Sequence, residues 1–307
     1  MPEDIRINAS NEDQSRPKER LSKSSWQLEF LKKLMRIVQY ISPQLVAKVL
    51  WHYFSRPTGS GFTPAQIDLI NQATISRIFT NGNTIFHYQW GDSQRRILLA
   101  HGWNSKISDF RKIINTLVRD GFQVEGIDMP GHGKSGGKHT SAGEMMDIIS
   151  AQLKNDDTYE AMIGYSIGGL AGALAIAKAE HRNKPKQLIL IAAPPYSKFI
   201  FEEVMDDLHF KQSVADSVYQ ILGKIHSLPI EEFDLRHAQP ELQSLDITLI
   251  YDEDDTTITM EKGLLLKSAF AQAQFVRTSG LGHYKIISYQ PVVNLISNRL
   301  LHQQASN

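Results

Sequence analysis

The chain has 307 residues, with 33 Lys plus Arg against 33 Asp plus Glu and a pI near 7.2. With no basic excess or stripe, nucleic acid is a poor partner and a neutral or weakly charged substrate fits better. The absence of cysteine excludes disulfides, thiolate zinc sites and cysteine nucleophiles, so covalent chemistry falls to other side chains.

The first twenty residues, MPEDIRINASNEDQSRPKER, lack the apolar run of a secretory signal, and the default expectation for location is the cytoplasm. Residues 1–24 carry many charges and few apolar side chains, which predicts a mobile tail. An N-terminal helical extension, residues 25–60, follows. Leu28, Leu31, Met35, Val38 and Ile41 recur opposite Glu29, Lys32, Lys33 and Arg36, the pattern of an amphipathic helix. Ser42 and Pro43 read as the cap and first position of a second helix through Tyr53. Packing against the domain is the favoured reading of this basic hairpin, and peripheral membrane contact through residues 26–53 the lesser one.

The remainder, residues 61–307, reads as one α/β domain. After the turn-rich SRPTGSG, strands and helices alternate as in a mostly parallel sheet covered on both faces. Strands are expected at Thr84–Trp90, Arg96–Ala100, Phe122–Ile127, Tyr159–Gly164 and Gln187–Ala192, with helices at Phe110–Arg119 and Ser141–Leu153 and after Ser166. The uncharged run Ala161–Ala177 is better read as a buried strand feeding a buried helix than as a membrane span. Between Pro194 and Asp246 the alternation lapses into helical patterns, a helical insertion over about 195–245. A strand at Ile247–Tyr251, a helix at Met260–Ala269, a strand at Gln274–Thr278 and a helix at Val292–Leu301 complete the chain.

Gly164-Tyr165-Ser166-Ile167-Gly168 falls between a predicted strand and a predicted helix, the context of a nucleophile elbow, where flanking glycines relieve backbone crowding. Ser166 is the candidate nucleophile. A serine hydroxyl needs a base within reach and a third group to hold that base in one tautomer. His283, in Gly280-Leu281-Gly282-His283 after the last predicted strand, is the candidate base. Asp255, just past Ile247–Tyr251, is the favoured acid, with Asp254 as the alternative. The run Asp252 to Asp255 lacks the glycine and closing glutamate of a calcium loop. Backbone N–H groups of Ile167 and Trp103 are candidates for stabilising an oxyanion. His101 has no partner histidine at zinc spacing and reads as a structural residue of its loop.

HGW at 101–103, DMPGHGKS at 128–135, GYSIGG at 164–169 and GLGH at 280–283 resemble the motifs of bacterial α/β-hydrolase-fold serine hydrolases, in order from about Thr84 to Leu301. The resemblance implies an α/β-hydrolase fold, with a mostly parallel sheet of about eight strands flanked by helices and a helical cap after the sixth strand. It also implies a triad at Ser166, Asp255 and His283. The DxPGHGxS segment shapes the pocket wall in that family, so His132 receives no chemical role. Asp252 stands where relatives commonly have glycine in GxxD. Serine at the elbow argues against the fold's epoxide hydrolases and haloalkane dehalogenases, which carry aspartate there.

The activity expected is carboxylesterase-like cleavage of an ester or thioester through an acyl-enzyme, with no cofactor or metal required. The insertion, with Tyr196, Phe199, Phe201, Met205 and Phe210, is expected to roof an apolar pocket for a small-molecule acyl substrate. The same triad also serves C–C bond hydrolysis, peptidase or acyl-transfer chemistry. From another class, a non-catalytic binding protein is disfavoured by the presence of every triad residue type. Nothing in the sequence points to an oligomeric state.

Overall fold

Strands covered by helices on both faces read as unbroken apolar runs, because neither side meets water. In the computed structural model, which describes residues 2, 4–9, 26–154, 159–226 and 228–302, three strands are buried at every position: Ala161–Tyr165 and Gln187–Ile191, which are almost wholly apolar, and Gln123–Ile127, which also buries Gln123 and Glu125.

The chain begins with β1 (Ile5–Asn8), α1 (Trp26–Val38), α2 (Pro43–Phe54) and α3 (Pro64–Asn71). A hairpin of β2 (Thr74–Thr80) and β3 (Asn83–Trp90) follows. The central units are β4 (Arg96–Ala100), α4 (Arg111–Arg119), β5 (Gln123–Ile127), α5 (Ala142–Lys154), β6 (Ala161–Tyr165), α6 (Ile167–Lys178) and β7 (Gln187–Ile191). The insertion holds α7 (Lys198–Leu208), α8 (Gln212–His226) and α9 (Gln239–Leu242). Last come β8 (Asp246–Asp252), α10 (Met260–Ala269), β9 (Gln274–Ser279), α11 (Gly282–Lys285) and α12 (Gln290–His302).

One sheet runs in the order β1-β9-β8-β7-β6-β4-β5-β3-β2, antiparallel only where β3 meets β2 and β5. The chain steps from β4 to β5 in one direction, then back past β4 to β6, β7, β8 and β9. Right-handed crossovers therefore place α4 on the opposite face from α5 and α6. In keeping with this, α5 packs on α6 while α12 joins α4. The reversal lies between β4 and β6, and the crevice beyond the carboxyl ends of those strands is where such sheets hold their sites.

Two edges differ from expectation. Residues 1–24 are not all tail: Ile5–Asn8 pairs parallel with β9, from Ile5 opposite Val276 to Asn8 opposite Ser279, so the sheet has nine strands. Ile5 and Ile7 are half-buried while Arg6 and Asn8 are exposed, and that four-residue alternation was hidden by the charged composition around it. Residues 1, 3 and 10–24 of the predicted tail lie outside the described residues. At the other edge, β2 has no buried position and hence no apolar pattern to read. Its signal was the turn Asn81-Gly82, where φ values of 49° and 75° make the tight hairpin that this dipeptide favours.

The N-terminal helices belong to the roof of the molecule. Ser42 caps α2 by accepting the Leu45 N–H at 3.3 Å, and α2 packs on α8 of the insertion. Phe54 meets Phe201 edge to face at 6.0 Å. The Arg36 side chain donates to the Leu208 carbonyl at 2.9 Å, and Gln39 Oε1 accepts the Lys211 N–H at 2.7 Å. Among the described residues no helix is long and apolar enough to cross a membrane, and the run Ala161–Ala177 divides between β6 and α6.

Candidate active site

A strand that passes directly into a helix leaves one residue to make the bend. β6 ends at Tyr165 and α6 starts at Ile167, so Ser166 turns alone, at φ 53° and ψ −134°, a conformation costly for a residue with a Cβ. Its N–H donates to the Ile191 carbonyl of neighbouring β7 at 2.9 Å. A Cβ at Gly168 would overlap the carbonyl oxygen of His101, so the approach of α6 to the loop after β4 demands glycine there.

After β9, the short helix α11 brings His283 back over the strand ends. Its Nε2 lies 3.1 Å from Ser166 Oγ and its Nδ1 lies 2.7 Å from Asp255 Oδ2. Asp255 Oδ1 accepts the N–H groups of Thr257 and Ile258 at 2.7 and 2.9 Å, which leaves Oδ2 for the imidazole. With a carboxylate accepting from Nδ1–H, Nε2 presents its lone pair to the serine. The Asp255 side chain is 0% exposed and that of His283 8%, so the pair is shielded from water.

Asp254 turns elsewhere and accepts the Gly280 N–H at 2.7 Å. Asp252, fully buried, gathers four hydrogen bonds. Its Oδ1 accepts from the N–H groups of Asp254 (3.0 Å) and Gly282 (2.8 Å), and its Oδ2 from the Thr278 hydroxyl (2.6 Å) and the Leu281 N–H (3.2 Å). The end of β8 thereby holds the backbone that delivers His283. From below, the Tyr165 hydroxyl donates to the His283 carbonyl at 2.9 Å. Burial pushes this phenol well above its ordinary range, so it remains a donor. These two supporting roles were missed from the sequence. The acidic run was visible, but its contact with Gly280-Leu281-Gly282 is a tertiary fact.

The candidate oxyanion donors lie beside Ser166 because β4 and β6 are neighbours, with Ala100 opposite Gly164. A Cβ at Gly102 would come within 2.8 Å of Ser166 Cβ, which shows how closely the loop carrying Trp103 passes. Neither the Trp103 nor the Ile167 N–H has an acceptor among the described residues. Two buried histidines hold this loop. His101 donates from Nδ1 to the Gly102 carbonyl at 2.8 Å and accepts the Met129 N–H on Nε2 at 3.0 Å. His132 donates from Nδ1 to the Pro130 carbonyl at 3.0 Å and accepts the Asn104 N–H on Nε2 at 3.2 Å. Burial lowers the His101 pKa to about 4. Burial, and then the neighbouring His101, lower that of His132 to about 3. Both stay neutral, as their acceptor roles require, and they clasp HGW to DMPGHGKS.

A family model described as alpha/beta hydrolase fold matches residues 95–247. Over 189 residues the chain is 23% identical to a pimeloyl-acyl-carrier-protein methyl ester esterase of Edwardsiella ictaluri, covering 60% of this chain and 70% of that one. An esterase of Pyrococcus furiosus superposes with a TM-score of 0.57 at 18% identity, covering 81% of this chain and 97% of the other. A carboxylesterase structure from Nitrososphaera gargenis gives 0.56 at 17% identity, covering 76% and 100%. The chain belongs to the α/β-hydrolase family.

In this α/β hydrolase, Ser166 lines a cavity of about 490 Å³, within the range of small-molecule sites. Phe199, Phe201 and Leu222 of the insertion form part of its wall, and Trp51 and Phe54 of α2 another part. Of the aromatic and Met positions expected to roof the site, Phe199 and Phe201 face the cavity. Met205 and Phe210 are instead buried in the packing of the insertion, and Tyr196 lies under the guanidinium of Arg236. The contribution of α2 was not foreseen, because no local pattern says which helix an amphipathic face will meet. Thr140 and Ser197 add two buried hydroxyls, without a hydrogen-bond partner among the described residues, to an otherwise apolar wall. Among the described residues no group of three or more His, Asp or Glu side chains is disposed to hold a metal.

Proposed function

We propose that this α/β hydrolase cleaves esters or thioesters of apolar acyl groups through an acyl-enzyme on Ser166. The observation that carries the reading is the hydrogen-bonded line from Asp255 Oδ2 through His283 to Ser166 Oγ, at 2.7 and 3.1 Å, which ends on an apolar cavity. The name of the Edwardsiella relative, a methyl ester esterase, supports an ester as the bond broken.

His283 Nε2 takes the hydroxyl proton as Ser166 Oγ attacks the acyl carbon, and Asp255 stabilises the imidazolium that results. Charge developing on the former carbonyl oxygen is met by the N–H groups of Ile167 and Trp103, each a donor of a kind worth about 10²- to 10³-fold in rate. The imidazolium returns its proton to the leaving alcohol or thiol. A water, deprotonated by the same nitrogen, then attacks the acyl-enzyme and releases the acid.

A fluorophosphonate probe is expected to label the protein and to fail on Ser166→Ala. Asp255→Asn keeps the shape but favours the wrong imidazole tautomer, and is expected to lower kcat by about 10⁴-fold on a p-nitrophenyl ester. A p-nitrophenyl series of increasing acyl length tests the apolar cavity. The reading fails if labelling survives Ser166→Ala or if no member of the series is turned over.

A further inference from the structure

A helix that packs on its domain normally shows water a polar outer face. α1 does not. Met35 is buried and Leu31 and Val38 half-buried on the side turned to the protein. Phe30, Leu34 and Ile37, at i, i+4 and i+7, form a second apolar stripe that is exposed, Phe30 by 63% and Ile37 by 65%. The stripe continues beyond the helix through Ile41, 83% exposed, and Leu45 on α2 is open to solvent as well. Isolated exposed apolar residues are ordinary, but a run of this kind marks a contact surface.

Three observations say what meets it. The first is charge: from Phe30 to Ile67 the sequence holds Lys32, Lys33, Arg36, Lys48 and Arg56 but no Asp or Glu, and Lys33, Lys48 and Arg56 are exposed. The second is composition. Of the residues outside the described ones (1, 3, 10–25, 155–158, 227 and 303–307), Met1 and Leu21 alone carry large apolar side chains, too little to cover the stripe. The third is position: Tyr53, 63% exposed, and Arg56 lie at the end of α2 and also line the cavity that reaches Ser166.

We infer that α1 and α2 form a membrane-docking surface that sits in the interface of a bilayer containing anionic phospholipid, with the mouth of the Ser166 cavity turned to it. Exposed aromatic and aliphatic side chains enter the headgroup region while lysine and arginine meet its negative charge. The docking stands on the surface alone. Delivery of an acyl substrate from the bilayer to Ser166 rests on the ester-hydrolase reading.

The test is co-sedimentation of the full chain with vesicles of phosphatidylcholine, alone or mixed with phosphatidylglycerol, at low and high salt. The protein is expected to pellet with the mixed vesicles and to be released by salt. The triple variant Phe30→Gln, Leu34→Gln, Ile37→Gln should lower partitioning at least about tenfold. Lys33→Gln with Lys48→Gln should lower it by about fivefold for each charge removed. Both variants are expected to keep fluorophosphonate labelling, which separates a docking defect from misfolding. The inference is overturned if the wild type stays in the supernatant with both vesicles, or if the triple variant pellets equally well. It is also overturned if the chain is a dimer that the triple variant converts to monomers without any vesicle binding, since the stripe would then join two copies. Pelleting without probe labelling of the wild type would sink the ester reading and leave the docking intact.

Discussion

Asp252 illustrates how much one side chain can hold in place without touching substrate. Its two oxygens collect donors from Asp254, Thr278, Leu281 and Gly282 in a site closed to water. Replacing it by alanine strands those donors, and each buried donor left unpaired costs about 1–3 kcal/mol. Asp252→Ala is therefore expected to lose at least about 3 kcal/mol of stability in urea unfolding, with Asp252→Asn, which keeps an acceptor oxygen, losing less. Among the residues of the site, Ser166 and His283 were legible because glycine spacing and chain order mark them. The choice between Asp255 and Asp254 was not, since a step of one residue along a loop turns the carboxylate from His283 to the Gly280 N–H. Tyr165 looks in the sequence like a variable position of the elbow, and only the fold shows that its hydroxyl holds the His283 carbonyl.

The loops after β4 and β5 are joined through two imidazoles whose neutrality the fold imposes. Each has an ordinary pKa of 6.5, lowered to about 4 at His101 and about 3 at His132, chiefly by burial. Between those values the unfolded chain takes up protons that the folded chain refuses. Their contribution is therefore complete above about pH 6.5 and falls as the pH drops toward the folded values, by about 2 kcal/mol for each histidine at about pH 5. Urea midpoints measured near neutrality and at about pH 5 should show that fall. His132→Gln, which cannot take up the proton, should flatten it, and an unchanged slope would count against the assignment. Strands β4, β6 and β7 at the centre of the sheet were readable because they are apolar along nearly their whole length. The edge strands were not: β2 has no buried position and β1 is four residues long in a charged context. The turn Asn81-Gly82 is the one local signal that β2 carries, whereas β1 needs β9 beside it to be a strand at all.

At the scale of the whole molecule, the wall of the cavity is assembled from segments far apart in sequence. α2 supplies Trp51 and Phe54, and the insertion supplies Phe199, Phe201 and Leu222. Phe54→Ala removes the edge-to-face contact with Phe201 at 6.0 Å and widens the cavity from above. It is expected to cost about 2 kcal/mol and to raise KM for longer p-nitrophenyl esters several-fold while sparing the acetyl ester. A uniform loss across the series would instead indicate damage to the site itself. The helical insertion was legible as a break in alternation, but its union with the N-terminal helices was not, because amphipathic faces do not name their partners. The pairing of β1 with β9 has a bearing on how the protein forms. Asn8 and Ser279 stand 271 residues apart, so during synthesis Ile5–Asn8 leaves the ribosome long before its neighbour has been made. That strand waits while the centre of the sheet condenses, and it docks only once Gln274–Ser279 has joined β8. Closing that border of the sheet therefore has to wait for the last strand of the chain.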